Sequence, residues 1–262
     1  MFPGFEIFGQ FIGTYAILAL VGIFTACPLG IHCYKRFTGE DIPMIFVYLF
    51  SAIGVFIGMH LLYGVTMLEY IPKLFQATGF VNFWQRFAAI FGGSVFYGGL
   101  LGGLLAGGIS ARVQKLPADI VTDCAAPSIA LFHGFARIGC FMGGCCYGIE
   151  WEHGITFTNA LVESANGVPR VPVQLIEAGF EFALFALLWL LLTRTNRLRG
   201  RLLALYLLIY PAGRFFLEFL RGDDYRGFLF GLSTSQIISV LVFTGSAVFF
   251  VIKRRLNRNR TL

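Results

Sequence analysis

Long apolar runs separated by short polar segments are the dominant pattern along this chain. A helix that crosses the hydrocarbon core of a bilayer needs about 20 mostly apolar residues. We expect each run of this length to form a transmembrane helix, which predicts an all-α integral membrane protein with about seven spans. The predicted spans are residues 11–31, 43–65, 88–109, 119–140, 174–193, 201–219 and 233–252.

The third apolar run differs from the others because it is rich in glycine (GGSVFYGGLLGGLLAGG). Glycine disfavours a helix in water, but in a bilayer small residues let neighbouring helices approach closely. We therefore expect this run to form either a closely packed helix or a broken helix that lines a cavity.

Composition supports a membrane protein and excludes several other classes. Of the 262 residues, 57% are hydrophobic and 13% are charged, whereas soluble domains carry about 25% charged residues. A soluble globule, a disordered chain and a disulfide-stapled secreted domain are excluded by these values. We expect one polytopic domain over residues 1–262, with non-cytoplasmic excursions near 66–87 and 141–173.

The net charge of +6 is interpreted as an orientation signal, not as a sign of nucleic-acid binding. Cytoplasmic loops of membrane proteins carry an excess of Lys and Arg. Here, 13 of the 20 basic residues fall in alternate loops on one side, which predicts an external N-terminus and a cytoplasmic C-terminus. These residues are Lys35, Arg36, Arg112, Lys115, Arg194, Arg197, Arg199, Arg201, Lys253, Arg254, Arg255, Arg258 and Arg260.

Two stretches place ionisable residues at membrane depth, where such residues usually indicate function. Arg137 lies in HGFARIGCFMGGCCYG, and Arg214 lies in YPAGRFFLEFLRGDD. Glu218 is i,i+4 from Arg214 and i,i+3 from Arg221, so one carboxylate can sit between two guanidiniums. Two arginines in one leaflet predict recognition of a phospholipid phosphate. The alternative is an ion cluster that only stabilises the sixth helix.

Arg221, Asp223, Asp224 and Tyr206 are expected to lie at the membrane interface, whereas Tyr97 of the third apolar run is a candidate for function. We expect Arg221, together with Asp223 and Asp224, to be solvated at the membrane interface. Tyr206 is expected to belong to the interfacial tyrosine belt, whereas Tyr97 is flanked by glycines and is a candidate for function.

The cysteine spacing favours packing over chemistry. Cys140, Cys145 and Cys146 have no second cysteine pair at a zinc-binding spacing. We expect them to pack as small residues among the glycines. A disulfide on an oxidising face and a metal site are the alternatives.

Four motifs, ARIGCFMGGCCYG, PVQLIEA, FYGGLLGG and GRFFLEFLRGDD, together resemble the prolipoprotein diacylglyceryl transferase family. The resemblance implies a multi-pass protein of the bacterial cytoplasmic (inner) membrane. It implies transfer of diacylglyceryl from phosphatidylglycerol to the lipobox cysteine thiol in the signal peptide of a preprolipoprotein. The products are a thioether and glycerol 1-phosphate, and no cofactor, metal or nucleic acid is implied.

The motifs and the resemblance together assign site residues. We expect Arg137 and Arg214 to hold the phosphate, while Tyr97 and Tyr210 orient it or relay a proton, which makes these four the catalytic candidates. The substrate-binding candidates are Arg137, Arg214, Tyr15, Gly98, Gly99, Gly139, Gly148, Gln174, Glu218 and Arg221.

The chain departs from the family pattern at several positions. Many members carry a histidine where Tyr97 stands, and that histidine has been proposed as a base. Cys140 and Gly143 replace two asparagines of the signature, and Ile176 replaces a tyrosine. A neutral tyrosine is a weak base, so a phosphate oxygen or an arginine-polarised water is the alternative proton acceptor.

Other functions are compatible with parts of the sequence. A family paralogue would modify a different thiol acceptor. A membrane thiol oxidoreductase would need Cys145 and Cys146 but tolerate changes of the arginines. A transporter would use the glycine-rich run as a gate and would not turn over lipid. The chain contains no C-x-x-C motif and no evident inverted repeat, so neither of the last two classes is favoured.

The distribution of basic residues makes the topology testable. A reporter fused after Leu262 should be active only in the cytoplasmic orientation, and one fused before Met1 should report the external side. An external C-terminus would contradict this topology and would place Arg137 and Arg214 in the opposite leaflet.

Overall fold

The computed structural model is predominantly helical. It describes residues 1–76, 78–93, 96–196, 198–223, 228–229 and 231–259. Its description excludes the side chains of residues 66, 96–97, 228–229 and 253–259. The described residues belong to two compact units, a first unit of Met1–Cys33 with Thr122–Leu262 and a second unit of Tyr34–Val121.

Helices form most of both units, and short strands pair locally. The helices are α1 Thr14–Thr38, α2 Ile42–Thr66, α3 Ile71–Phe75, α4 Phe80–Phe91, α5 Phe96–Val113, α6 Ala118–Gly143, α7 Val173–Arg194, α8 Leu202–Leu217 and α9 Thr234–Asn259. The strands are β1 Gly4–Ile7, β2 Gln10–Gly13, β3 Glu150–Thr156, β4 Pro169–Arg170, β5 Phe228–Leu229 and β6 Leu232–Ser233. Single 3₁₀ turns occupy Leu68–Tyr70, Glu163–Ala165 and Glu218–Leu220.

Six helices in the described part of the chain are long and apolar enough to cross a membrane. They are Thr14–Thr38, Ile42–Val65, Ala118–Gly143, Val173–Arg194, Leu202–Leu220 and Thr234–Ile252. Each coincides with a predicted span, so the all-α membrane fold is confirmed. Their large exposed side chains are mostly Leu, Ile, Val and Phe, as expected for surfaces that face lipid.

The predicted count of seven spans is not confirmed, because the third run does not form one continuous helix. The run 88–109 divides between α4, which ends at Phe91, and α5, which begins at Phe96. Gly92 and Gly93 follow α4 directly, and glycine is among the poorest helix formers. The described apolar part of α5, Gly98–Val113, is shorter than the other spans.

The second unit is built on close contact between α2 and α5. A Cβ atom on Gly102 would lie 2.1 Å from the carbonyl oxygen of Gly54, and one on Gly98 would lie 2.2 Å from that of Gly58. Each helix therefore presents two glycines four residues apart to the other, as in GxxxG packing of membrane helices. The expected close packing of the glycine-rich segment is confirmed within this unit.

The first unit contains α6, α7 and α8, which also approach each other at glycines. A Cβ on Gly134 of α6 would lie 2.7 Å from the ring of Phe182, and one on Gly213 of α8 would lie 2.5 Å from the ring of Phe180. Both phenylalanines belong to α7. Since each ring fills the space that a side chain would need, α7 lies close to both neighbours.

Residues 141–173 form a small folded segment in the first unit. Strands β3 and β4 pair antiparallel, and Tyr147, Phe157 and Ala165 form its buried core. Arg170 is buried there and donates to the carbonyl oxygens of Ser164 at 3.0 Å and Ala165 at 3.3 Å. This packing anchors the chain that connects α6 to α7.

The single-domain organisation, the membrane side of each excursion and the orientation of the termini stay predictions. Arg197 and Arg260, which contribute to the cation asymmetry, lie outside the described residues, as do the side chains of residues 253–259.

The glycine contacts predict a position-specific packing defect. Gly102→Ala should destabilise the protein by about 1–3 kcal/mol, because the added methyl group meets the backbone of α2. Gly108→Ala is the matched control, since a Cβ on Gly108 meets nothing within 4 Å. Thermal unfolding in detergent measures both variants. Equal stability of the two would show that the close contact is relaxed in the native protein.

Candidate active site

A buried carboxylate, Glu177, lies at the centre of the candidate site. Its side chain is 2% exposed and it extends from the first turns of α7. Nη2 of Arg137 lies 2.9 Å from Oε1 of Glu177, and the hydroxyl of Tyr210 donates to the same oxygen at 3.0 Å. Nε of Arg214 lies 3.8 Å from it. One carboxylate oxygen therefore joins α6, α7 and α8.

A second carboxylate, Glu218, continues the cluster directly after α8. Nη2 of Arg214 lies 2.5 Å from Oε2 of Glu218, which confirms the predicted i,i+4 pair. The hydroxyl of Ser233 donates to Oε1 of Glu218 at 2.7 Å. Since Ser233 immediately precedes α9, this contact connects the cluster to a fourth helix.

The two arginines retain hydrogen-bonding capacity that the carboxylates do not use. A guanidinium has five N–H donors. Nε of Arg137 and Nη1 of Arg214 are buried, and neither has a hydrogen-bond partner among the described residues. The formal charges of Arg137, Arg214, Glu177 and Glu218 balance, so the cluster buries no net charge, and its guanidiniums keep N–H donors suited to an anion.

A second polar group, which the sequence analysis missed, lies close to the first. Nδ1 of His133 lies 2.7 Å from Oε1 of Glu181, and the hydroxyl of Tyr206 donates to the same oxygen at 3.2 Å. The ring of Tyr206 stacks on that of Tyr210, with centroids 5.6 Å apart. The assignment of Tyr206 to an interfacial belt is therefore wrong, because its side chain is buried in this network.

Both polar groups follow one sequence signal, a spacing of four residues that places side chains on the same face of a helix. The spacing occurs in His133 and Arg137 of α6, in Glu177 and Glu181 of α7, and in Tyr206, Tyr210, Arg214 and Glu218 along α8 and the turn after it. Counting polar residues at this interval across the apolar runs would have found the second group.

The expectation of a solvated Arg221 is wrong. Nε of Arg221 donates to Oδ1 of Asp223 at 2.8 Å, and their side chains are only 9% and 5% exposed. Burial alone would lower the pKa of Arg221, but the hydrogen bond to Asp223 raises it above its usual value. Asp224 lies outside the described residues. Arg221 also pairs with Gly148 in an isolated β-bridge, which joins residues 141–173 to the chain after the 3₁₀ turn Glu218–Leu220.

Two glycines that the sequence analysis named as substrate-binding candidates occupy positions without room for a side chain. A Cβ on Gly139 would lie 3.0 Å from the ring of Tyr15, which places these two candidates in contact. A Cβ on Gly148 would lie 2.3 Å from the carbonyl oxygen of Val171. Both glycines therefore allow close packing around the site, and their contact with substrate stays a prediction.

The three clustered cysteines meet at the end of α6. The Sγ atoms of Cys140, Cys145 and Cys146 all lie within 4.8 Å of one another, and all three are free thiols. Nε2 of Gln174 donates to the carbonyl oxygen of Cys145 at 2.7 Å. The mutual hydrogen bonds of the three thiols lower the pKa of Cys146 and raise the pKa of Cys145.

Three candidates from the glycine-rich run belong to the second unit. Gly98 contacts Gly58 of α2, and Gly99 lies near Val55 of the same helix. The side chain of Tyr97 lies outside the described residues. Their participation in the site of the first unit stays a prediction.

Comparison with known proteins agrees with the motifs. The family model described as prolipoprotein diacylglyceryl transferase matches residues 4–252. A phosphatidylglycerol–prolipoprotein diacylglyceryl transferase 2 of Clostridium perfringens is 34% identical over 263 residues, covering 98% of this chain and 96% of the relative.

Two further relatives, both named phosphatidylglycerol–prolipoprotein diacylglyceryl transferase, match over similar lengths. The one from Clostridium tetani is 34% identical and covers 94% of this chain and 95% of its own length. The one from Bordetella avium is 32% identical, covering 93% of this chain and 91% of the relative. The match is nearly end to end in each case. This multi-pass membrane protein therefore belongs to the prolipoprotein diacylglyceryl transferase family.

Proposed function

We propose that this chain transfers the diacylglyceryl group of phosphatidylglycerol to the lipobox cysteine thiol of a preprolipoprotein. The products are a thioether and glycerol 1-phosphate. Family membership and the names of the relatives supply the substrates. The observation that carries the proposal is the pair Arg137 and Arg214, held at one buried carboxylate with N–H donors to spare.

The spare donors suit a phosphodiester. Nε of Arg137 and Nη1 of Arg214 can each donate to a phosphate oxygen while the other nitrogens of each guanidinium keep their carboxylate contacts. The acceptor thiolate attacks the glycerol carbon that bears the phosphodiester oxygen, and the bond between that carbon and oxygen breaks. Negative charge then grows on the departing phosphate, where the guanidiniums stabilise it.

Glu177 is a positioning residue in this mechanism. It holds two guanidiniums that would otherwise repel each other, and it accepts the hydroxyl proton of Tyr210 in a hydrogen bond. Tyr210 therefore acts through Glu177 when it orients the arginines. The two guanidiniums are thus held in position before lipid arrives, which reduces the reorganisation needed in the transition state.

An apolar cleft beside Arg214 is suited to the lipid tails. It lies between α8 and α9 and is lined by Pro211, Ala212, Phe215, Phe216, Ser239, Val240 and Phe243. Pro211 precedes Arg214 by three residues, so the cleft begins about one helical turn along α8 from Arg214. An acyl chain in this cleft leaves the headgroup phosphate within reach of Arg214.

We place the reaction in the bacterial cytoplasmic (inner) membrane. Both partners are membrane-bound there, because a phospholipid and the apolar part of a signal peptide share the bilayer. A paralogue that modifies another thiol acceptor is the alternative. An acceptor peptide with the lipobox cysteine distinguishes the two.

The arginine assignment predicts a large loss of transfer activity. Vesicles of phosphatidylglycerol, the purified chain and a lipobox peptide should yield a diacylglyceryl adduct on the peptide cysteine, detected by mass spectrometry. Arg137→Lys and Arg214→Lys should each slow transfer about 10²–10³-fold, because lysine keeps the charge but loses the planar fork of donors.

Arg194→Lys is the matched control, since Arg194 is exposed at the end of α7 and should give parental rates. Normal transfer by either site variant at normal expression would show that these arginines are structural. An unmodified peptide in the parental reaction would contradict the proposed acceptor.

The central carboxylate predicts a further effect. Glu177→Gln keeps the shape of the side chain but leaves two buried guanidiniums without their shared anion. We expect transfer to fall by at least about 100-fold, together with lower stability of about 3–5 kcal/mol. Glu152→Gln is the control, because Glu152 is 82% exposed on β3. Parental transfer rates measured for the Glu177 variant would refute its positioning role.

A further inference from the structure

Cys140, Cys145 and Cys146, called the cysteine triad here, are brought together by a specific turn in the first unit. Gly144, with φ +74°, turns the chain back after α6, and the N–H of Cys145 donates to the carbonyl oxygen of Cys140 at 3.1 Å. Cys146 adopts a left-handed conformation, with φ +57°, which is unfavourable for a residue with a side chain. The turn is thus specific, and it points three sulfur atoms at one another.

Neighbouring residues hold this turn from two sides. A Cβ on Gly144 would lie 2.1 Å from that of Ala160, so the turn rests against the chain that follows β3. Gln174 of α7 donates to the carbonyl oxygen of Cys145 at 2.7 Å. Backbone strain of this kind persists where surrounding contacts over-determine it, and it concentrates at functional sites.

The sulfur geometry fits a thiophilic metal ion. A zinc–thiolate bond is about 2.3 Å long, so three thiolates around one ion are about 3.8–4.0 Å apart. The three Sγ atoms already lie within 4.8 Å of one another. A disulfide needs only two sulfurs at bonding distance, whereas a shared ion explains why three converge. Shifts of less than about 1 Å would complete the site.

The surrounding charge also fits such an ion. Arg137 and Arg221 lie close enough to Cys146 to interact with it electrostatically. Two guanidiniums would repel a divalent ion that had no anionic ligands. Three thiolates with one divalent ion carry a net charge of −1, which the guanidiniums stabilise.

We propose that the cysteine triad binds one divalent thiophilic ion such as Zn²⁺, and that the open fourth position takes the acceptor thiol. Structural zinc sites have four protein ligands, whereas sites with three keep a position for water or substrate. The second half of the proposal rests on the proposed function. Cys140 follows Arg137 by three residues on α6, so the ion lies about one helical turn from the arginine cluster.

The chemistry balances without an oxidant or reductant. A thiol loses its proton to water when it coordinates the ion, and the bound thiolate attacks the glycerol carbon of the lipid. The C–S bond forms as the C–O bond breaks, and glycerol phosphate leaves with the bonding electron pair. The product thioether is neutral and a weaker ligand than the thiolate, so it leaves the ion.

Cobalt is the probe for the metal site, because Co²⁺ replaces Zn²⁺ in tetrahedral thiolate sites and gives visible absorption. The full chain, purified in detergent under anaerobic conditions with a phosphine reductant and stripped with a chelator, should bind one Co²⁺ with thiolate-to-cobalt charge-transfer bands. Cys140→Ser and Cys146→Ser should each weaken binding by more than about 100-fold. Cys27→Ser in α1 is the matched control and should bind as the parent does.

The lipobox peptide tests the fourth position. Its addition to the cobalt-loaded chain should shift the visible bands, whereas a peptide with serine in place of the cysteine should not. In the transfer assay, chelator should lower the rate at least about 10-fold, and Zn²⁺ should restore it.

Several outcomes would overturn the proposal. Parental cobalt binding by Cys140→Ser, no binding by the parent, or a metal-free chain with a disulfide inside the triad would overturn the metal site. Visible cobalt bands that do not shift when the lipobox peptide is added would overturn the assignment of the acceptor thiol to the fourth position. Full transfer in chelator would overturn the role of the metal and leave the proposed function standing. Cobalt binding without any diacylglyceryl adduct would overturn the proposed function and leave the metal site standing.

Discussion

The first unit depends on one electrostatic constraint: two guanidiniums and a tyrosine hydroxyl converge on a carboxylate that has almost no contact with water. Arg137, Tyr210 and Arg214 all contact Oε1 of Glu177. Removing one partner of a buried ion pair leaves an uncompensated charge, at a cost of about 3–5 kcal/mol. The rotation and depth of α6, α7 and α8 must therefore agree at this point. The glycine–phenylalanine contacts of α7 with both neighbours make that close agreement possible.

Polar side chains four residues apart extend this constraint along the helices. His133 and Glu181 lie one turn from Arg137 and Glu177, and Tyr206 stacks on Tyr210. The facing sides of α6, α7 and α8 thus carry a series of paired polar groups, spaced one helical turn apart. Because His133, Arg137 and Arg214 each have a carboxylate partner, these faces can bury ionisable residues while two guanidinium N–H groups stay without a partner among the described residues.

Sequence patterns predicted features that depend on spacing within one helix. They did not predict contacts that depend on how different helices are rotated against one another. Apolar length identifies spans well because a membrane helix must satisfy its own backbone hydrogen bonds. The Arg214–Glu218 pair follows from helical spacing alone. The choice of Glu177 as the shared partner depends on how three helices are rotated, which one sequence does not reveal. For the three clustered cysteines the sequence analysis favoured packing and left a disulfide and a metal site as alternatives, because their spacing resembles no zinc motif and only the turn at Gly144 brings the sulfurs together. The third apolar run was predicted as one transmembrane helix, but the helix is interrupted at Gly92 and Gly93.

The departures of this chain from its family pattern become related under the metal proposal. The reaction needs a thiolate, and a tyrosine at position 97 is a poor proton acceptor at neutral pH. Cys140, which the resemblance aligns with a signature asparagine, supplies one of the three sulfur atoms. An ion at the triad lowers the pKa of a bound thiol directly, so a strong base near the acceptor is no longer required. Under this proposal a metal ion, instead of a base, is the means of forming the nucleophile.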